Sequence, residues 1–156
     1  MTTKKFIDVS KLLQSEVGTT EEIKTNIQPH LFSDKKIKLT KPITGSITLT
    51  KYQDEIEAGF DVRIHGKLKC DRYLEEFEKE LKAKFIQVYP LEKRPKPLEA
   101  DEMTVKPDQT IDIFEPIRQE LLLTLPYKNI CKPDCMGICL NCGVNLNKEE
   151  CKCREV

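Results

Sequence analysis

Three observations predict an α+β chain that is mainly antiparallel β, its sheet strongly curved or barrel-like, with one or two short helices and a cysteine-rich carboxy-terminal tail. From Ile56 to Cys70, apolar residues (Ile56, Ala58, Phe60, Val62, Ile64, Leu68, Cys70) hold even positions, and Glu57, Asp61, Arg63, His65, Lys67 and Lys69 hold odd ones. That is the period of a strand with one buried face. Residues Asp112 to Pro126 carry the acidic start, apolar spacing and proline stop of a helix. Six of the seven cysteines follow the order C-x3-C-x3-C-x2-C-x8-C-x-C from Cys131 to Cys153, a spacing that makes the tail a zinc knuckle.

Taken in order, Phe6, Ile7 and Val9 predict a short strand, and Ser10 caps a brief helix through Leu12, Leu13 and Val17 that ends at Gly18. Ile23 and Ile27 alternate with polar residues from Thr20 to Gln28, a half-buried strand broken by Pro29. His30 beside that proline reads as a loop residue rather than a ligand. Lys35, Lys36, Lys38 and Lys41 around Ile37 and Leu39 describe a solvated edge strand, with phosphate binding as the lesser alternative. Alternation resumes at Ile43, Ile47 and Leu49 against Thr44, Ser46, Thr48 and Thr50, and a turn near Gln53 to Glu55 reverses the chain.

The following strand, Ile56 to Cys70, far exceeds the usual five or six residues, so bends at Gly59 and Gly66 and a strongly curved sheet are expected. Parity points Cys70 inward as a small core residue and His65 outward to solvent. Between Tyr73 and Tyr89 two patterns compete. Tyr73, Phe77, Leu81 and Phe85 recur at helical spacing, whereas Phe77, Leu81, Ala83, Phe85 and Tyr89 share one parity. Pro90, Pro95, Pro97 and Pro107 mark residues 90–107 as a flexible, proline-rich surface loop. Ile111 and Ile113 form a short strand, and Asp112 with Glu115 opens a helix that continues through Ile117, Glu120, Leu121 and Thr124 until Pro126. The resulting organisation is a β domain over residues 1–126 and a zinc-binding module over 127–156.

Within the tail, Cys139 and Cys142 followed by Gly143 have the spacing and the permissive glycine of a knuckle, and Cys151 and Cys153 can close on the same ion. These four are the preferred ligands. Cys131 and Cys135 could replace Cys151 and Cys153, or all six could hold two ions. Disulfides and an iron-sulfur cluster are the competing fates of such thiols. A zinc site closed by four cysteines has no vacancy for a substrate and serves to fold a segment too short for a core of its own.

Lysine plus arginine and aspartate plus glutamate number 26 each, so bulk charge does not point to nucleic acid, and any such surface must arise by local segregation. Lys79, Lys82, Lys84, Lys93, Arg94 and Lys96 are the basic candidate for RNA or partner binding. The amino terminus lacks a signal-like apolar run, and no segment approaches the length of a membrane span. A cytoplasmic protein with no membrane association is expected. A Walker loop, a dinucleotide fingerprint and a GxSxG elbow are all absent from the sequence.

The run Asp112-Ile113-Phe114-Glu115-Pro116-Ile117-Arg118-Gln119-Glu120-Leu121 resembles the YceD family, the large ribosomal RNA subunit accumulation proteins. So do Gly137-Ile138-Cys139, Cys142-Gly143-Val144-Asn145-Leu146-Asn147, and the earlier Val62-x-x-x-Gly66 and Cys70-x-Arg72-x-Leu74. The resemblance covers residues 43–153. It implies a cytosolic, non-enzymatic ribosome-biogenesis factor whose partners are large-subunit (23S) ribosomal RNA, its precursor or a ribosomal protein, with no small-molecule substrate. It also implies that residues 77–89 form a strand. Family members often carry a second cysteine where this chain has Tyr73, so a middle cysteine pair is not expected here.

Two alternatives come from other classes. A thiol-disulfide protein would use Cys139 and Cys142, but the βαβ setting that activates such pairs does not precede them. A protein-protein adaptor would use the zinc tail without touching RNA. A hydrolytic zinc enzyme is disfavoured because His30 and His65 lie far from the cysteines in sequence.

Overall fold

The computed structural model describes residues 5–32, 37–91 and 103–154. Its elements are β1 (Phe6–Asp8), α1 (Ser10–Gln14), β2 (Thr20–Ile27), β3 (Lys38–Leu39), β4 (Ile43–Lys51), β5 (Glu55–Lys69), β6 (Glu76–Pro90), β7 (Thr110–Asp112) and α2 (Phe114–Thr124). Among the described residues no helix is long and apolar enough to cross a membrane.

β5 is the axis of the main sheet. β6 pairs with it antiparallel along its whole length, from Glu55↔Pro90 to Lys69↔Glu76. The other side of β5 is shared: β4 takes residues 56–63 and β3 takes Gly66 and Lys67. β2 then pairs antiparallel with β4, from Thr20↔Thr50 to Ile27↔Ile43. β1 and β7 form a separate two-stranded sheet.

The expected barrel-like curvature is corrected here. The sheet is open, and β2 and β6 are not hydrogen-bonded to one another. The length of β5, taken as a sign of curling, is absorbed by stacking two partner strands end to end along one of its sides. The competition between Tyr73 and Tyr89 resolves as strand β6, because pairing with β5 outweighs the helix propensity of a lysine- and glutamate-rich segment.

The inner face buries Ile43, Ile47, Leu49, Ile56, Phe60, Val62 and Ile64 against Phe114, Ile117 and Leu121 of α2, with Ile7, Val9 and Leu12 completing one core. Each large side chain so buried contributes roughly 1.5–3 kcal/mol relative to exposure. Phe60 and Phe85 stack across β5 and β6 with ring centroids 4.6 Å apart. The hydroxyl of the fully buried Tyr89 donates to the Asp112 carbonyl at 2.6 Å, tying β6 to the start of α2.

Several boundaries differ from expectation. α1 stops at Gln14, leaving Val17 exposed, and Asp8 rather than Ser10 supplies the capping oxygen, accepting from the Ser10 N–H at 2.8 Å. Lys51 closes the other end of α1, donating to the carbonyls of Leu13 and Ser15 at 2.5 and 2.6 Å. At α2, Asp112 Oδ1 accepts from the N–H groups of Phe114 and Glu115, as a cap should. Glu115 does not reach back to complete the box. Its carboxylate turns forward to Arg118 at 2.7 Å, which holds it below the usual carboxylate range. Most of the proline-rich segment lies outside the described residues. Met103 to Pro107 are described, and Val105 N–H donates to the Pro90 carbonyl.

Gly45 and Gly59 provide a matched test of the sheet's packing. A Cβ on Gly45 would stand 2.0 Å from the Asp61 carbonyl oxygen and 2.8 Å from Val62 Cα, whereas one on Gly59 meets only the Thr48 carbonyl at 3.9 Å. Gly45→Ala is expected to cost roughly 2–4 kcal/mol and to lower Tm by roughly 5–15 °C. Gly59→Ala should stay within about 1 kcal/mol of wild type. Thermal denaturation of the two variants decides it, and equal losses would contradict this register.

Candidate metal centre

The tail begins where α2 ends and runs back to the β5–β6 turn, residues 70–75. That turn is closed by Cys70 N–H to the Glu75 carbonyl and Leu74 N–H to the Cys70 carbonyl, with Leu74 at φ 63°. Asp71 N–H donates to the Asn129 carbonyl at 2.8 Å, and Asn129 N–H donates to Asp71 Oδ2 at 2.7 Å. The Arg72 guanidinium donates to the Cys135 carbonyl, and Lys148 pairs with Glu75 at 2.7 Å. Gly137, at φ 74°, sits so close to Arg72 that a Cβ would lie 3.1 Å from the Arg72 carbonyl.

Beyond this docking surface the chain folds into a small hairpin. Cys139 N–H donates to the Val144 carbonyl, Gly143 N–H to the Cys139 carbonyl, and Leu146 N–H to the Gly137 carbonyl, each at 2.9 Å. Gly143 has open space around it but adopts φ 72°, so backbone conformation rather than crowding requires glycine there. The knuckle brings Cys139 and Cys142 together, and a turn at Asn145 to Glu149 returns the chain to Cys151 and Cys153.

The sulfurs of Cys139, Cys142, Cys151 and Cys153 all lie within 4.8 Å of one another. Cys142 and Cys151 are 3.6 Å apart and Cys139 and Cys151 3.2 Å, whereas a tetrahedron with zinc–sulfur bonds of 2.3 Å has edges of about 3.8 Å. All of the cysteines are free thiols. The residues therefore fit a dication held by four thiolates.

Electrostatics agree with the geometry. The Cys142 N–H, then the Cys151 thiol and the Asn141 N–H, pull Cys139 down to about 6. Its neighbours respond oppositely: Cys139 pushes Cys151 up, and Cys142 and Cys151 push Cys153 up to about 12. Four sulfurs this close cannot all ionise without a cation to offset their repulsion. A metal ion held by the four would supply that charge and cross-link the hairpin.

Cys131 and Cys135 do not join this group. They stand with Cys70, the three sulfurs again within 4.8 Å of one another, and Cys70 and Cys135 are 4.0 Å apart. Parity correctly placed Cys70 inward, but treating it as only a core residue missed its meeting with the tail. The available signal was arithmetic: once four of six tail cysteines close one site, two remain without enough partners. Asn147, also missed, links the two groups. Its Oδ1 accepts from Met136 N–H at 3.0 Å, and its Nδ2 lies 3.5 Å from the Cys135 sulfur.

The basic candidate is only partly assembled. Lys82 and Lys84 are exposed on the outer face of β6, opposite Arg63 and Asp61 of β5. Lys79 has the opposite parity and pairs with Gly66, so it lies on the other face of the sheet, which a count of lysines along the chain could not reveal. Lys93, Arg94 and Lys96 lie outside the described residues. His65 faces Glu80 at 3.8 Å and His30 is exposed in a 3-10 turn, each apart from both cysteine groups.

Fold and site together define a β-scaffold protein with a docked, cysteine-rich tail whose four clustered sulfurs could hold a metal ion. The chain belongs to the YceD family: the family model described as large ribosomal RNA subunit accumulation protein YceD matches residues 58–156. An uncharacterised protein of Mycobacterium tuberculosis strain H37Rv is 45% identical over 51 residues, which are 33% of this chain and 25% of that protein. The chloroplastic large ribosomal RNA subunit accumulation protein YCED homolog 1 of Zea mays is 42% identical over 48 residues, 30% of this chain and 16% of the relative. Its Arabidopsis thaliana counterpart is 46% identical over 43 residues, 28% and 13% respectively. The matched stretch thus spans a quarter or less of these curated relatives. No solved structure matches the chain significantly.

If the four-sulfur group holds the hairpin together, removing its metal should open the tail and leave the sheet intact. Limited proteolysis after chelation is expected to cleave within residues 137–153, while circular dichroism keeps its β signal. A tail that stays equally resistant without metal would count against that role.

Proposed function

We propose that this protein is a non-enzymatic factor that promotes accumulation or processing of 23S ribosomal RNA during large-subunit assembly in the cytoplasm, with one structural zinc ion held by Cys139, Cys142, Cys151 and Cys153. What carries the proposal is a YceD-family match that runs through the same tail whose four sulfurs converge within 4.8 Å. A closed cage leaves no position for a reacting molecule, so its use is to stiffen a surface. Zinc knuckles recognise RNA in this way.

The outer face of the sheet is the favoured RNA contact. Cross-strand register sets Asn26, Thr44, Arg63 and Lys82 in one row and Lys24, Ser46, Asp61 and Lys84 in the next. Cations interleaved with hydroxyls suit phosphate and ribose oxygens. Asp61 and Glu80 temper the field, with Glu80 at 3.9 Å from Lys82, so moderate affinity is expected.

The test is to crosslink the tagged protein in cells, sequence the bound RNA and identify bound proteins. Enrichment of precursor large-subunit RNA is the expected outcome. In vitro, replacing Lys82 and Lys84 by glutamate should weaken RNA binding several-fold and reduce the slope of log K against log salt by about 2. A salt-independent affinity would argue against phosphate contact. Absence of RNA beside one dominant protein partner would replace this function with that of an adaptor.

A further inference from the structure

The second cysteine group draws one member from the sheet itself. Cys70 follows the last residue of β5 and is fully buried, while Cys131 is half-buried and Cys135 buried in the tail. We propose that Cys70, Cys131 and Cys135 bind a second soft divalent ion, zinc, and that this ion clamps the tail onto the end of β5.

Geometry carries the assignment, since the three sulfurs lie within 4.8 Å of one another, one from the end of the sheet and two from the tail. The Cys70–Cys135 separation of 4.0 Å is close to the edge of about 3.8 Å required by tetrahedral zinc–sulfur geometry.

The surroundings are built to hold the group. The paired hydrogen bonds of Asp71 with Asn129, one to a backbone carbonyl and one to the Asp71 carboxylate, and the Arg72 bond to the Cys135 carbonyl set the tail against the turn independently of any metal. Binding at this position replaces thiol protons with the ion and ties residues 65 positions apart in sequence. With only three protein sulfurs for a soft ion, this site should release its metal before the four-sulfur cage does.

The experiment is metal analysis of the full purified chain by mass spectrometry, followed by chelator release and cobalt substitution. Two zinc ions per chain are expected. Cys131→Ser and Cys70→Ser should each leave one, as should Cys139→Ser, with the two kinds of loss separable by which cysteines alkylate. Cys131 is half-buried, so its variant remains informative should loss of buried Cys70 unfold the sheet, and circular dichroism verifies the fold. In the cobalt form, Cys131→Ser should weaken the cobalt–sulfur charge-transfer band. One zinc per chain, with Cys70, Cys131 and Cys135 alkylating in the native protein, would overturn the site while leaving the cage untouched.

Discussion

Everything in the molecule is arranged around the unbroken alternation of β5. Because polar and apolar residues never slip phase between Ile56 and Cys70, one face of the strand is buried along its whole length. A slip of one residue would exchange core for solvent at every position, so the register with β4 and β6 is strongly specified. β6 saturates one side of its backbone, and β4 and β3 divide the other. The same phase delivers Cys70 to the buried side at the end of the sheet, where the tail arrives.

Fold and site are therefore coupled through a few residues. Asp71 and Asn129 exchange backbone and side-chain hydrogen bonds, and Gly137 packs on Arg72. The Lys148–Glu75 pair is solvent-exposed and screened, so it adds little beside these backbone contacts. Asn147 carries the order further, touching Met136 and Cys135 while bracing itself on Asn145. The Asn145-Leu146-Asn147 motif thus has a structural purpose, which is to hold the hairpin of the cage in a fixed relation to the segment bearing Cys135.

The chemistry of the cage limits what the tail can do. Four thiolates around one ion leave it neither a water to activate nor a vacancy for substrate. Cys139 is pulled down to about 6, and its backbone donors and close sulfur neighbours are also the environment of a bound thiolate. On the proposed reading, function then rests on shape and charge. The outer sheet face offers a polar, hydroxyl-rich surface with cations in neighbouring rows, while the inner face is consumed by the core.

The antiparallel strands, α2 and the cysteine spacing were legible in the chain, since each follows from local chemistry: period two for a half-buried strand, a capping aspartate before apolar helical spacing, a knuckle glycine after Cys142. The openness of the sheet was not, because strand length says nothing about how many partners share a strand's side. Nor was the dispersal of the lysines, where a single step in parity sends Lys79 to one face and Lys82 and Lys84 to the other. The residues of the 77–89 segment favoured a helix by propensity, and only pairing with β5 made it a strand. Above all, the union of Cys70 with Cys131 and Cys135 belongs to the tertiary structure alone, since chain separation hides a contact that exists only once the β5–β6 turn and the tail have met.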